Sequence, residues 1–142
     1  MLIPLAAFAI AVSTPIAAES VSLGALAGNW VIETAPHQNS GCVIRGDAVA
    51  RVERGALAIA LNAHETCPDG TDARAVEQCR GNLSAQTLQV RCVLQRSTSD
   101  TYIADHFVLT VVGSNAMVGR LVDGRAWNEP ATWRRPSAPM IS

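Results

Sequence analysis

The groups best suited to act as bases, acids, nucleophiles or metal ligands in this chain are three histidines, twelve carboxylates and four cysteines. His37, His64 and His106 stand far apart, and two of them have an acidic neighbour, in His64-Glu65 and Asp105-His106. Neighbouring side chains on an extended chain point to opposite faces, so neither pair reads as an acid–base couple. The chain has no nucleophile elbow, phosphate-binding glycine loop or His-Glu-x-x-His motif. Asp69 and Asp72 lie in a Pro-Asp-Gly loop without the spacing or terminal glutamate of a calcium loop, and read as turn residues. The expectation is a protein that is not an enzyme and uses no metal or other cofactor.

Cys42, Cys67, Cys79 and Cys92 include no C-x-x-C pair, which weakens a zinc reading despite His64 near Cys67. Their chemistry depends on the compartment. Met1 to Ala18 runs as a short apolar core, a helix-breaking Pro15, and small residues before Glu19. That is the layout of a secretory signal peptide, although the start carries no Lys or Arg. The apolar run is interrupted too early for a transmembrane helix, which needs about 20 residues. Residues 1–18 are therefore assigned to a signal peptide and the mature protein to the periplasm or the secreted fraction. There, four cysteines form two disulfides.

Turn chemistry places those cysteines. If Arg54-Gly55 is a two-residue hairpin loop, Val52 faces Leu57, Ala50 faces Ile59, Ala48 faces Leu61 and, further out, Cys42 faces Cys67. Asp47, Arg51 and Glu53 then share the opposite, wet face with Val49 as the exception, and Gly46-Asp47 offers a place for a bend or bulge. A second hairpin around Ala85-Gln86 sets Leu83 against Leu88, Gly81 against Val90 and Cys79 against Cys92. Directly opposed Cβ atoms are near bonding range, so the expected pairs are Cys42–Cys67 and Cys79–Cys92. Downstream, Phe107 to Val112 is a β-branched run that Gly113-Ser114-Asn115 turns. Met117 to Val122 returns, Asp123-Gly124 turns again, Arg125 begins the next strand, and Ala131 to Arg135 closes the chain before Pro136.

The fold expected is all-β, a small antiparallel up-and-down β-barrel of about eight strands over residues 26–136. A seven-residue arm (19–25) precedes it and a tail (137–142) follows. At eight strands a barrel interior just fills with side chains or holds one small ligand. Its lining would be Ala48, Ala50, Leu61, Gly81, Val90 and Leu109, with Trp30, Phe107 and Met117 available to fill it. Hydrophobic residues make up 49% and charged residues 16%, with net charge −1 and every basic residue an arginine. Such a composition excludes disorder, offers no basic stripe and argues against a nucleic-acid partner.

Leu26-Ala27-Gly28-Asn29-Trp30 opens the first strand, successive hairpins follow, and arginines stand at the end of the last strand. In these features the chain resembles the calycin (lipocalin-like) barrels, and within them the secreted bacterial inhibitors of alkaline metalloproteinases. The resemblance covers about the first third of the mature chain, with Cys42 and Cys67 standing for that family's single disulfide. It implies that Trp30 plugs one end of the barrel beneath a last-strand arginine, Arg134 or Arg135, of which Arg134 is the first choice. It also implies that an extended arm with Glu19, Ser20, Val21 and Ser22 enters the cleft of a secreted protease. Two other roles stay open: a structural barrel of the envelope, and a carrier of a small apolar ligand.

Overall fold

The computed structural model of the protein describes Pro4 and residues 21–123 and 127–136. The signal-peptide assignment (Pro4 apart), Glu19, Ser20, Gly124 of the last turn, Arg125 and the C-terminal tail lie outside the described residues. A short 3-10 turn, Leu23–Leu26, leads into β1 (Gly28–Thr34), β2 (Val43–Glu53), β3 (Ala56–Thr66) and β4 (Asp72–Ser84). Next come β5 (Thr87–Ser97), β6 (His106–Gly113), β7 (Ala116–Val122) and β8 (Asn128–Arg134). Each strand pairs with its sequence neighbour and β8 pairs back onto β1, so the eight strands close into an antiparallel barrel with no free edge. Among the described residues, no helix is long and apolar enough to cross a membrane.

Both hairpin registers follow from their turns. Arg54 and Gly55 take φ of 52° and 76°, which gives the positive-φ pair whose twist suits a two-residue hairpin. Val52, Ala50 and Ala48 then oppose Leu57, Ile59 and Leu61. Ala85 takes φ 53° in the second turn, and Leu83, Gly81 and Cys79 oppose Leu88, Val90 and Cys92. The disulfides are Cys42–Cys67 and Cys79–Cys92, with Cα separations of 4.1 and 4.0 Å.

Gly46 does not bulge β2. It pairs in register with Ala63, and its role is close approach, since a Cβ there would collide with the carbonyl oxygen of Asn62. Register shifts fall instead in the β6–β7 pair, between Val111 and Gly113, and in the β4–β5 pair, where Val76 faces Arg96 but Glu77 faces Leu94. The extra residue on β5, Gln95, leaves Glu77 on the inner face of β4.

The interior is filled. Trp30, Ile32, Leu57, Ile59, Leu88, Phe107, Leu109, Met117, Leu121 and Trp133 are all shielded from solvent, with Phe107 set edge-on to Trp133 at 5.2 Å between centroids. Ala48, Ala50, Leu61, Gly81 and Val90 line the inside as expected, as does Leu109, and pack among these larger groups. A Cβ at Gly81 would already touch Leu88, Ile59 and Leu57. Val49, on the outer face, is 56% exposed.

Candidate functional site

The two ends of the barrel differ in kind. At the end holding the Arg54-Gly55 and Ala85-Gln86 turns, Gly28 enters β1 at φ 108° and Trp30 is 1% exposed. The Trp30 indole Nε1 donates to the Leu26 carbonyl at 2.9 Å. Across the ring lies a guanidinium, its Cζ 3.9 Å from the centroid, and it belongs to Arg135. This corrects the assignment to Arg134. Alternation along β8 turns Trp133 inward and Arg134 outward, so only the residue past the strand's end returns over the indole. Arg135 also donates to three carbonyls, from Nη2 to Ala25 (2.9 Å), Nη1 to Asn29 (3.2 Å) and Nε to Ser114 (3.1 Å). One side chain thereby ties the N-terminal segment, β1 and the β6–β7 turn together.

The N-terminal arm is corrected at the same place. From Val21 onward the segment is docked rather than extended. Ser22 caps the 3-10 turn by accepting from the Ala25 N–H at 3.3 Å, and Leu26 is fully buried, with Val21 and Leu23 packed against the core. Residues three apart share one side of a 3-10 turn, so Leu23 and Leu26 cover the barrel's end together. Part of the supposed arm therefore helps to close the barrel.

The opposite end is a polar mouth. Its loops follow β1, β3, β5 and β7, and the Cys42–Cys67 disulfide joins the first two. A cavity of about 250 Å³ opens there, lined by Glu65, Tyr102, Asp105, Asp123 and Trp127 among others, with Ile44 and Ile103 as apolar wall. Asp105 is 2% exposed. Its N–H donates to Glu77 Oε1 at 2.7 Å, and its Oδ2 accepts from the Tyr102 hydroxyl at 2.6 Å. Glu77 stands directly behind it, wholly buried, and its carboxyl shares a hydrogen bond with that of Asp105.

Burial, then the Asp105 side chain through hydrogen bonding and charge, pushes the Glu77 carboxyl up to about 9. Asp105 is raised as well, mainly by burial, and the two carboxyls titrate as a pair that keeps a proton at neutral pH. Burial and the Asp105 charge raise Glu65, against a lowering by His37. Burial and neighbouring carboxylates likewise hold the Tyr102 hydroxyl in its protonated form.

The histidines serve separate local contacts. His64 Nε2 meets Asp72 Oδ2 at 2.7 Å on the outer wall, while Glu65 next to it turns to the mouth. His106 Nδ1 accepts from the Cys92 N–H at 3.0 Å, which places the ring proton on Nε2. His37 packs on Trp127 with centroids 4.5 Å apart and bonds Ser40. Asp69 Oδ1 accepts from the Thr71 N–H, closing the turn expected of it. No group of three or more His, Cys, Asp or Glu suited to a metal ion occurs among the described residues.

Sequence reasoning missed the mouth. Its one legible signal was parity: if Cys79 and Gly81 face inward on β4, so does Glu77. Register lines up Arg51, Ala58, Arg80 and Arg91 in one outer row across four strands, a juxtaposition of residues far apart in the chain.

No family model matches the chain, and no curated relative matches it. Among solved structures it is similar to a redesigned β-barrel, mFAP1, bound to DFHBI. Identity is 15% and the TM-score 0.60, over 80% of this chain and 100% of that one. It is also similar to a fluorescence-activating β-barrel designed de novo, at 13% identity and TM-score 0.56, over 80% and 96% of the two chains. At these identities the likeness is one of fold.

Proposed function

We propose that the protein is a secreted or periplasmic binding protein without catalytic activity, and that it inhibits a secreted protease through the segment preceding Val21. One observation carries this reading: the plugged end fixes the root of that segment. The Ser22 cap, the buried Leu26, the Trp30 indole on Leu26 and Arg135 on Ala25 hold the chain where it leaves the barrel. A segment issuing from a fixed root loses less freedom on entering a cleft, and a few contacts normally dominate such an interface. Two disulfides and the signal-like start support an oxidising compartment. The filled interior counts against carriage of an apolar ligand inside the barrel.

The experiment is a titration of an alkaline metalloproteinase with the mature protein and with a form lacking residues 19 and 20. Val21 and Ser22 stay in the shortened form, keeping the core contact and the cap of the 3-10 turn, so its melting temperature should stay close to that of the parent. Inhibition by the longer form alone is the expected result. No inhibition at micromolar concentration by either form would leave a structural barrel, and equal inhibition by both would move the contact surface to the loops.

A further inference from the structure

We propose that the outer face of β2 to β5, on the half of the barrel nearer the Arg54-Gly55 and Ala85-Gln86 turns, is a docking surface for an anionic phospholipid bilayer. Register sets Arg51, Ala58, Arg80 and Arg91 side by side on four neighbouring strands, and Arg54 follows at the turn. All four arginines are exposed. Arg51 shares Glu53 at 3.1 Å, whereas Arg54, Arg80 and Arg91 meet no carboxylate among the described residues. The Arg80 guanidinium reaches only the Arg54 carbonyl, at 3.4 Å.

Arg80 and Arg91 stand directly opposite each other, a position in which like charges are destabilising. The Cys79–Cys92 disulfide, one position along, locks that register, so slippage of the strands cannot part them. A phosphate between the two guanidiniums relieves the repulsion, and the planar fork matches its oxygens better than an ammonium does. Next to them β3 presents only methyl groups. Ala58 and Ala60 floor a shallow cleft of about 180 Å³, walled by Val49, Arg51 and Gln78, which has room for one such group.

The rest of the face selects a bilayer among polyanions. The adjoining outer row is Val49, Ala60, Gln78 and Val93, and both valines are more than half exposed. Apolar side chains set among arginines are what an interfacial surface needs, the first reaching past the headgroups while the second meet the phosphates. No aromatic ring stands in either row to stack on a base, which counts against single-stranded nucleic acid. Charge along the barrel orients the approach. Asp69, Asp72, Asp100 and Asp123 sit in or beside the loops of the mouth, so an anionic surface repels that end and attracts the arginine face, although the whole chain carries a net charge of −1.

Co-sedimentation of the whole protein with vesicles tests this. Vesicles of phosphatidylcholine alone are compared with vesicles of phosphatidylcholine and phosphatidylglycerol in equal parts. The expected result is binding to the mixed vesicles at least about tenfold stronger than to the neutral ones, and largely lost as salt rises from about 0.05 M to about 0.5 M. Arg80→Gln and Arg91→Gln should each weaken it by about fivefold while leaving the melting temperature unchanged or raised, because a like-charge pair is relieved. Arg45→Gln, which removes the same charge from the mouth half beside Glu33, should bind like the parent. Val93→Ser should weaken binding by about threefold, a loss that a purely electrostatic contact would not show. Equal binding to both kinds of vesicle, equal losses at Arg45 and Arg91, an unchanged Val93→Ser protein, or a duplex oligonucleotide bound more tightly than the mixed vesicles would each overturn the proposal.

Discussion

Raising the pH from about 6 to about 8 should destabilise this protein, and replacing Glu77 by Gln should remove much of that sensitivity. The Glu77 carboxyl titrates near 4.5 in the unfolded chain and at about 9 in the fold. Between those values the folded state holds a proton that the unfolded state has released. Stability therefore falls as pH rises, by about 1.4 kcal/mol per unit for one proton. Going from about pH 6 to about pH 8 costs roughly 3 kcal/mol, or a fall in melting temperature of about 10 °C for a domain of this size.

Glutamine keeps the carbonyl oxygen that accepts from the Asp105 N–H and adds an amide that donates to the Asp105 carboxylate. Thermal unfolding followed by circular dichroism, from about pH 5 to 9, should show a steep fall for the parent and a shallower one for Glu77→Gln. The variant should be the more stable protein at about pH 8. Parallel curves, or a variant less stable than the parent under alkaline conditions, would refute the shared-proton account of the mouth.

Two further outcomes follow from the packing. Trp30→Ala should cost about 3–5 kcal/mol, and Arg135→Ala about 1–2 kcal/mol through the ring contact and the lost hydrogen bonds. Arg134→Ala, on the outer wall, should fall within about 0.5 kcal/mol of the parent. Denaturant unfolding of the three variants checks this ordering, and a larger loss at Arg134 than at Arg135 would reverse the assignment. Gly119→Ala should cost about 3 kcal/mol, because its Cβ would collide with the Val108 carbonyl oxygen and force β6 and β7 apart. Gly24→Ala, which meets open space, should be neutral in the same assay.

The strand pairing was legible in the sequence because it rests on local rules. Arg54-Gly55 sets a two-residue turn, the turn sets the register, and the register brings apolar residues to one face and cysteines opposite each other. Nothing beyond about a dozen residues on either side of a turn is needed for that chain of inference. The Cys79–Cys92 pair is its clearest product, since its members occupy directly opposed positions on β4 and β5. The filling of the interior was legible only as a list of candidates, because volume is a sum over all eight strands.

The features that closure creates were not readable in the same way. Choosing Arg135 over Arg134 depends on Trp133 facing inward where β8 stops against β1, which puts Arg134 on the outer wall and the next residue over the indole. The docking of Leu23 and Leu26 depends on an open barrel end for them to cover, which exists only once β8 has met β1. Glu77 and Asp105 are 28 residues apart and meet because the loop before β6 folds over the mouth. The outer row of Arg51, Ala58, Arg80 and Arg91 likewise comes from three registers compounded across neighbouring hairpins. A hairpin carries the information for its own pairing within itself. The plug, the mouth and the arginine row are made by residues that become neighbours only after the ring of strands has closed.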